Sequence, residues 1–400
     1  MDSKFMNVIT KYFSPPLIGT LFTTFLACAS LALTPSANAS LYTVTDLGTL
    51  GGGSLSTEHT SARGINNSGI VTGYSYNSSS ESRAFSWSSS TGMQDLGTLG
   101  GSHSHGFAIN TNGEVAGRAH TSGAQYEAFT WSSSNGIQSL GTLGGSSSTS
   151  YGINDSGDVV GVSDVSGVDR AFLWTSSGGM QELTSLGGSL RDAQANDINN
   201  SGQVVGTYET ASGDMHAFLW TEADGMQDLG TLGGANSYAY GINDNGDIVG
   251  SSYVASDDVY SQPFLWTADG GMQSLGTLGG AKIGNTSVAY DINNSGDIVG
   301  ESPVSSSISH AFLWTESSGI QDIGSISGYG DYDYSNNAAY AINDSGEIVG
   351  AYSTSGGPKR AFMLESTSVT PLPGTLGFLG IGIAVFFWGV RTRSSRSVPA

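Results

Sequence analysis

The feature that most constrains the fold is a six-residue motif that recurs seven times along the chain. The first copy, Leu47–Gly52, reads Leu-Gly-Thr-Leu-Gly-Gly, and the others begin at residues 96, 140, 183, 229, 275 and 323. Successive copies are 43 to 49 residues apart. A period of this length indicates a repeat architecture in which one supersecondary unit is used again and again.

Each motif is followed by a variable loop and then by an extended segment that ends in Ile-Asn. Gly stands three places after the Asn in all seven repeats. Asn at the first place of a turn and Gly at the fourth predict a type I turn that closes a β-hairpin. The pairs that carry this prediction include Asn66 with Gly69, Asn154 with Gly157, and Asn243 with Gly246.

Three further strands complete each repeat. A β-branched pair such as Val159-Val160 favours a buried second strand. The third strand reads Ala-Phe-x-Trp, and Trp174, Trp220 and Trp314 are expected to be packing anchors. A polar turn then leads through Gly-Met-Gln or Gly-Ile-Gln to a fourth strand and the next motif.

Four strands in about 46 residues, without helical periodicity, predict an all-β fold with the spacing of β-propeller blades. The expected fold is a seven-bladed propeller of four-stranded antiparallel blades. A β-solenoid is the competing repeat fold. The repeat region begins with a lone fourth strand, 42–47, and stops after a third strand, 361–365. Their pairing would close a ring, whereas an open solenoid would need caps instead.

Three linked motifs identify a family. They are Asp-Leu-Gly-Thr-Leu-Gly-Gly at 46–52, Gly-Ile-Asn-Asp-Ser-Gly-Asp-Val-Val-Gly at 152–161, and His-Ala-Phe-Leu-Trp at 216–220. Over residues 42–365 the chain resembles the HAF-repeat family of bacterial extracellular proteins. The resemblance implies an extracellular address, and the family has no assigned activity. The repeat domain is therefore expected to span 40–365.

The N-terminal segment, residues 1–39, reads as a secretory signal peptide. Lys4 and Lys11 precede an apolar run at 17–33, and Ala37 and Ala39 form a small-x-small cleavage site. An uncleaved anchor is the alternative. The single Cys28 lies in this segment, so the mature protein is expected to have no disulfide and no cysteine metal site.

The C-terminal segment consists of a polar linker at 366–373, an apolar helix at 374–390 and a basic tail at 391–400. With Pro371, Pro373, Arg391 and Arg393, it resembles a PEP-CTERM sorting signal in its Pro-Leu-Pro variant, since Leu372 replaces the usual Glu. The resemblance implies a Gram-negative source and an exosortase-type processing protease as partner. The helix would hold the chain in the membrane at least before processing. A single-span membrane anchor is the alternative.

Charge restricts the partners. Residues 40–366 contain 33 Asp and Glu against 8 Lys and Arg, and the whole chain carries a formal charge of −21. A surface this acidic repels phosphate backbones, so nucleic acid is excluded as a partner. Cations, neutral glycans and cationic surfaces remain compatible with it.

Candidate binding residues lie in long loops that are expected on one face, raised over adjoining blades. They alternate carboxylates and phenols, which suit a cation or a sugar ring, although a solvated acidic loop has the same composition. The candidates are Asp331, Tyr332, Asp333 and Tyr334, together with Asp257, Asp258 and Tyr260. No cofactor is predicted, and a surface cation such as calcium has no motif to support it. His103-x-His105 is the nearest approach to a metal pattern and is weak by itself.

The sequence predicts a non-enzymatic binding protein of the cell surface or extracellular matrix, with a glycan, an exopolysaccharide or a protein as ligand. The alternative is an extracellular polysaccharide hydrolase or lyase, which paired carboxylates on the first strands would favour. Asp197 and Asp291 directly precede their Ile-Asn pairs, where the other five repeats have Gly or Ala. A purely structural role is the third possibility.

Overall fold

The computed structural model describes residues 42–51, 59–183, 192–254, 260–279, 286–324, 334–354 and 357–366. Within these residues there are 28 β-strands and no helix, so the all-β prediction is confirmed. None of the described residues belongs to a helix long and apolar enough to cross a membrane. The predicted signal peptide, apolar helix and basic tail lie outside the described residues, as does the predicted linker except for Ser366, which ends the last strand.

The strands form antiparallel meanders in which each strand pairs with the next along the chain. Five separate four-stranded sheets follow the lone strand β1 (Tyr42–Asp46). They are β2 (Thr60–Ile65), β3 (Val71–Tyr76), β4 (Ser82–Ser88), β5 (Gly92–Asp95); β6 (Gly100–Ile109), β7 (Val115–Thr121), β8 (Tyr126–Ser132), β9 (Gly136–Gly141); β10 (Ser148–Ile153), β11 (Val159–Val165), β12 (Val168–Thr175), β13 (Gly179–Glu182); β14 (Ala193–Ile198), β15 (Val204–Glu209), β16 (Met215–Thr221), β17 (Gly225–Asp228); and β18 (Gly233–Ile242), β19 (Ile248–Val254), β20 (Ser261–Thr267), β21 (Gly271–Ser274).

The remaining strands belong to one eight-stranded sheet with two antiparallel parts. The first part is β22 (Val288–Ile292), β23 (Ile298–Pro303), β24 (Ser309–Thr315) and β25 (Gly319–Asp322). The second is β26 (Tyr334–Ile342), β27 (Ile348–Thr354), β28 (Lys359–Ser366) and β1. A single parallel pair, Ser309 with Asn336, joins the two parts. The four-stranded antiparallel prediction is therefore confirmed, and such sheets are the blades of β-propellers.

The Asn-x-x-Gly segments form the hairpin turns between first and second strands. In the first repeat, the Gly69 N–H donates to Asn66 O at 3.0 Å, and the Asn66 N–H donates to Ile70 O at 3.0 Å. Asn66 Oδ1 also accepts the N–H groups of Ser68 and Ile70. Gly69 has φ +71°, a left-handed value that favours Gly. The side chain and the Gly together fix the turn.

A close approach of two strands explains the Gly that follows each β-branched pair. Gly161 on β11 faces Phe172 on β12, which is fully buried. A Cβ atom on Gly161 would lie 2.0 Å from Thr149 O and 2.9 Å from Phe172 Cε1. The first strand bulges at this level, with a register shift between Ser150 and Gly152. Any side chain at this Gly would push the strands apart.

The hydrophobic core lies between successive sheets rather than inside one of them. One cluster joins Ala116 and Ala128 of the second sheet to Val159 and Phe172 of the third, with Trp174 packed against it. Trp220 and Trp314 pack in the same way against their own clusters. The tryptophans therefore lie where the sequence expects packing anchors.

The two ends of the repeat region meet. Strand β1 pairs antiparallel with β28 from Tyr42 opposite Ser366 to Asp46 opposite Phe362. The strand ends one residue earlier than expected, but Leu47 still donates its N–H to Ala361 O at 3.2 Å. Leu47 also belongs to a core cluster that contains residues of the first sheet and of β27 and β28.

The turn asparagines link one repeat to the next. All seven are buried, and the Nδ2 group of each donates to the backbone oxygen of the Asn in the following repeat. The series runs through Asn66, Asn110, Asn154, Asn199, Asn243, Asn293 and Asn343. From Asn343 it returns to Asn66 O at 3.0 Å. The Asn side chain therefore serves both its own turn and its neighbour.

The two short turns of each repeat lie on one side of the sheets. A groove of about 400 Å³ is lined by Asn135 and Gly136 of one turn and by Ser156 and Gly157 of the next repeat's Asn turn. The longer connections, from fourth to first strand, leave from the opposite ends of the strands.

Candidate functional site

The first strands of all seven repeats line a central cavity. Its part nearest the Asn turns has a volume of about 370 Å³ and is lined by the Ile, the Asn and the following residue of every repeat. A second part, of about 200 Å³, is lined by residues just before these Ile-Asn pairs. Ile65, Ile109, Ile153 and Asp197 line both parts. We refer to both parts together as the central cavity.

Aromatic side chains form a ring around the second part of the cavity. The position two residues before the Ile of Ile-Asn is aromatic in five repeats, namely at Phe107, Tyr151, Tyr240, Tyr290 and Tyr340. The remaining two repeats have Arg63 and Asn196 at this position.

Neighbouring members of this ring contact one another. Ring centroids lie 5.4 Å apart for Phe107 and Tyr151, 5.9 Å for Tyr240 and Tyr290, and 5.2 Å for Tyr290 and Tyr340. The Tyr290 hydroxyl donates to Glu301 Oε1 at 2.8 Å. Burial raises the pKa of the tyrosines at 151, 240 and 340, so their hydroxyls stay protonated at neutral pH. The cavity is therefore lined by aromatic side chains, and the hydroxyl groups of the tyrosines at 151, 240 and 340 are neutral.

Two carboxyl groups, Asp197 and Asp291, stand in the wall of the same cavity. Asp197 Oδ1 accepts the N–H of Ile198 at 2.9 Å, and its Oδ2 accepts the N–H of Ile242 in the next repeat at 3.0 Å. Asp291 binds Ile292 and Ile342 in the same way, at 2.8 and 2.9 Å. Each carboxyl group thus bridges the first strands of two repeats.

Burial perturbs both carboxyl groups. Burial and, after it, the negative charge of Asp291 raise the pKa of Asp197, the two N–H groups lower it, and the net result is a pKa of about 7. Burial likewise raises the pKa of Asp291 to about 6, against its own two N–H groups. Near neutral pH a substantial fraction of Asp197 is protonated. Such perturbed carboxyl groups in a cleft are candidates for acid-base chemistry.

The mouth of the cavity on the turn side carries a rim of alternating amides and carboxylates. Asn200 Nδ2 donates to Asp155 Oδ2 and Asp244 Oδ2 at 3.1 and 3.0 Å. Asn294 Nδ2 donates to Asp344 Oδ2 at 3.1 Å. Backbone N–H groups bind the other carboxylate oxygens, for example Asn200 N with Asp244 Oδ1 at 2.9 Å. The oxygens of these carboxylates thus already accept hydrogen bonds from other residues of the rim.

The loop residues expected to bind a ligand are only partly described. Asp257, Asp258, Asp331, Tyr332 and Asp333 lie outside the described residues. Tyr260 is half-buried, directly precedes β20 and does not line the central cavity. Tyr334 was expected in a loop but begins β26, because the first strand extends outward past a bulge and pairs Tyr334 with Thr354.

His103, His105 and His120 pack in an aromatic cluster. The ring centroids of His103 and His120 are 5.1 Å apart, and His105 lies 4.6 Å from Tyr74. Across the ranges that the structure covers, no group of three or more His, Cys, Asp or Glu side chains is placed to hold a metal ion.

Sequence reasoning about loops did not identify the cavity residues. The aromatic residues two places before the Ile of Ile-Asn were a usable signal, since five of seven repeats carry one. These aromatic residues could not be recognised as cavity residues, because the pattern of a strand does not show which end of the strand faces a shared cavity.

Comparisons with known proteins show propeller proteins among the similar solved structures. The β-propeller domain of the Trilobed protease from Pyrococcus furiosus is 10% identical with a TM-score of 0.48, and the match covers 77% of this chain and 96% of that one. TolB from Acinetobacter baumannii is 12% identical with a TM-score of 0.42, covering 72% and 77%. A gluconolactonase from Xanthomonas campestris is 10% identical with a TM-score of 0.39, covering 84% and 94%.

No family model matches this chain, and no curated protein matches it. The similar structures include a protease domain, TolB and a lactonase, so at these identities they do not indicate an activity.

Proposed function

We propose that this protein is an exported, closed seven-bladed β-propeller that binds a glycan in its central cavity and does not transform it. The observation that carries the proposal is the ring of aromatic side chains, because Phe107, Tyr151, Tyr240, Tyr290 and Tyr340 all line one polar cavity. Small-ligand sites combine aromatic walls with a few placed polar groups.

Closure of the ring is supported by three independent contacts between its ends. They are the pairing of β1 with β28, the core cluster that joins the first and last repeats, and the hydrogen bond from Asn343 to Asn66. Closure also removes exposed sheet edges, which otherwise invite aggregation.

A glycan suits the cavity better than a folded protein does. The two parts of the cavity, about 370 and 200 Å³, admit sugar residues or a chain end, whereas a folded protein would contact only the rim. Sugar rings have apolar faces that stack on aromatic side chains and hydroxyl groups that pair with Tyr, Asn and backbone groups.

The proposed location is the cell surface or extracellular matrix of a Gram-negative bacterium. It is supported by the signal-like segment at 1–39, the sorting-signal resemblance at 371–393 and the acidic charge. An exosortase-type protease is the proposed processing partner.

A polysaccharide hydrolase or lyase is the second candidate, favoured by the raised pKa values of Asp197 and Asp291 in the cavity wall. However, both oxygens of each carboxyl group already accept a backbone N–H group. This tethering gives the carboxyl groups a structural task, so binding without catalysis is the better-supported function.

The test is a titration of the full chain with neutral and acidic oligosaccharides by calorimetry, together with product analysis of each mixture. Tyr151→Leu and Tyr340→Leu keep apolar volume but remove the aromatic face. Each should weaken binding about tenfold, which corresponds to roughly 1.4 kcal/mol. Tyr253→Leu, away from the cavity, is the matched control and should leave affinity unchanged.

Two results would count against the proposal. Indifference to every oligosaccharide would overturn glycan binding. Release of shortened or unsaturated products, abolished in Asp197→Asn, would establish the enzyme instead.

A further inference from the structure

Two arginines differ from the others in an acidic protein. Within the part of the chain that the structure covers there are five arginines, and three of them pair with carboxylates. The paired ones are Arg83 with Glu81 at 2.7 Å, Arg170 with Glu182 at 3.4 Å, and Arg360 with Asp46 at 3.5 Å. Arg63 and Arg118 have aromatic neighbours instead.

Arg63 lines the central cavity beside the ring of aromatic side chains. Its guanidinium carbon lies 4.0 Å from the ring centroid of Tyr340 and 5.8 Å from that of Tyr74. Its Nε atom is buried and has no hydrogen-bond partner among the described residues. The guanidinium is thus held by cation–π contact with aromatic side chains and not by a carboxylate.

Arg118 repeats this arrangement on the neighbouring sheet. Its guanidinium carbon lies 4.3 Å from the ring centroid of Tyr126 and 5.8 Å from that of Phe107. Phe107 is one of the aromatic side chains around the cavity. Its Nε atom is also buried without a partner among the described residues. One hydrogen bond is formed, from Nη2 to His105 Nδ1 at 3.4 Å.

His105 connects the two arginines. Its ring lies 4.6 Å from that of Tyr74, the aromatic neighbour of Arg63, and its Nδ1 atom faces Arg118. Its Nε2 atom lies 2.8 Å from Ser82 Oγ. Burial and, after it, the charges of Arg118, His103 and Arg63 together lower the pKa of His105 to about 4. His105 is therefore a neutral acceptor near pH 7.

Two guanidinium groups without carboxylate partners, one on the cavity wall and one against its aromatic ring, form an incomplete electrostatic site. Buried N–H groups without partners are unfavourable, and a carboxylate is the group whose geometry best matches a guanidinium fork. A dense polyanion is repelled by the surrounding acidic surface, but a single carboxylate on a sugar ring satisfies both the arginines and the aromatic faces.

We propose that Arg63, supported by the positive charge of Arg118 against Phe107, forms an anion subsite of the central cavity that receives the carboxylate of an acidic sugar. This deepens the glycan-binding function proposed above and rests on it. The ligand class becomes a glycan containing uronic acid.

The experiment compares two ligands that differ only in charge. The full chain is titrated with a neutral oligosaccharide that ends in one galacturonic acid residue and with the methyl ester of the same oligosaccharide. The acidic form should bind at least tenfold more tightly, and added salt should reduce this preference because it screens the charges.

Variants then assign the preference to residues. Arg63→Gln and Arg118→Gln should each reduce the preference about tenfold, whereas Arg83→Gln, whose arginine is paired with Glu81, should leave it unchanged. Arg63→Lys and Arg118→Lys keep the charge but lose the fork, and they should keep part of the preference. They also carry the comparison if a glutamine variant fails to fold.

The outcomes separate the two proposals. Equal binding of acid and ester overturns the subsite but supports glycan binding. A preference that persists in both glutamine variants also overturns the subsite. Binding of neither ligand overturns the subsite, and glycan binding is overturned as well only if the chain is also indifferent to every oligosaccharide of the titration described above.

Discussion

Asp197 offers a test of how the cavity wall is built, through the substitution Asp197→Asn. The carboxyl group bridges two repeats by accepting the N–H groups of Ile198 and Ile242. The amide in the variant keeps one acceptor oxygen and places an NH₂ group against the other donor. At low pH the variant should therefore be less stable by about 1 kcal/mol, the usual net value of one hydrogen bond.

The effect of raising the pH favours the variant over the wild type, opposite to the loss of the hydrogen bond. Burial raises the pKa of Asp197 in the folded chain to about 7, above its unfolded value near 3.8. A raised carboxyl pKa contributes stability that is fully present below pH 4 and is lost as the pH rises through 7. Since one pKa unit corresponds to about 1.4 kcal/mol, this loss is at most about 4 kcal/mol. The amide of the Asp197→Asn variant cannot ionise, so the variant escapes this loss.

The assay is urea unfolding of both proteins at pH values from 4.5 to 8.5, followed by tryptophan fluorescence. The variant should be the less stable protein at pH 4.5 and should gain on the wild type by a few kcal/mol by pH 8.5. Two parallel stability curves, within about 0.5 kcal/mol of each other, would refute the reasoning, because surface substitutions alone vary within that range.

Asp228→Asn is a control for which the pH dependence of stability has the opposite sign. Burial raises the pKa of Asp228, but hydrogen bonds from Gly230, His216 and Tyr208 outweigh it and lower the pKa overall. Asp228 therefore contributes stability above its unfolded pKa and loses that contribution as the pH falls. The variant's deficit should shrink on acidification, whereas that of Asp197→Asn should grow.

Three further perturbations test the repeat itself. Asn243→Ala removes one donor to Asn293 O and two acceptor contacts, so it should lower the free energy of unfolding by about 3 kcal/mol. The control Asn135→Ala, at an exposed position, should change the free energy of unfolding negligibly. Equal effects of the two variants in urea unfolding would contradict the link between repeats. Gly161→Ala should prevent folding or destabilise by more than about 3 kcal/mol, because its Cβ would meet Thr149 O at 2.0 Å, as circular dichroism and melting would show. Deleting residues 40–52 removes β1 and exposes the edge of β28, so melting should fall by many degrees and aggregation should rise; unchanged melting would disprove ring closure.

The sequence by itself determined the strands, their order and the turns. The Asn-x-x-Gly spacing specified the hairpin because both the Asn side chain and the positive φ of Gly act within four residues. The Phe opposite Gly161 and the Trp at the end of each third strand follow from the same local pattern. These features depend on neighbours in the chain, so a repeated pattern is enough to reveal them.

Only the tertiary structure decided which residues meet at the centre. Arg63 contacts Tyr340, and Asn343 bonds to Asn66, across almost the whole repeat region. Such contacts exist because the first strands of all seven repeats line one cavity, and the alternation of a strand does not say which of its ends faces a shared space. The sequence therefore indicated acidic loops, and Asp197 and Asp291 on the first strands, as candidate sites. It did not indicate the aromatic and cationic residues of the cavity, because these lie on strands whose pattern is typical of structural residues.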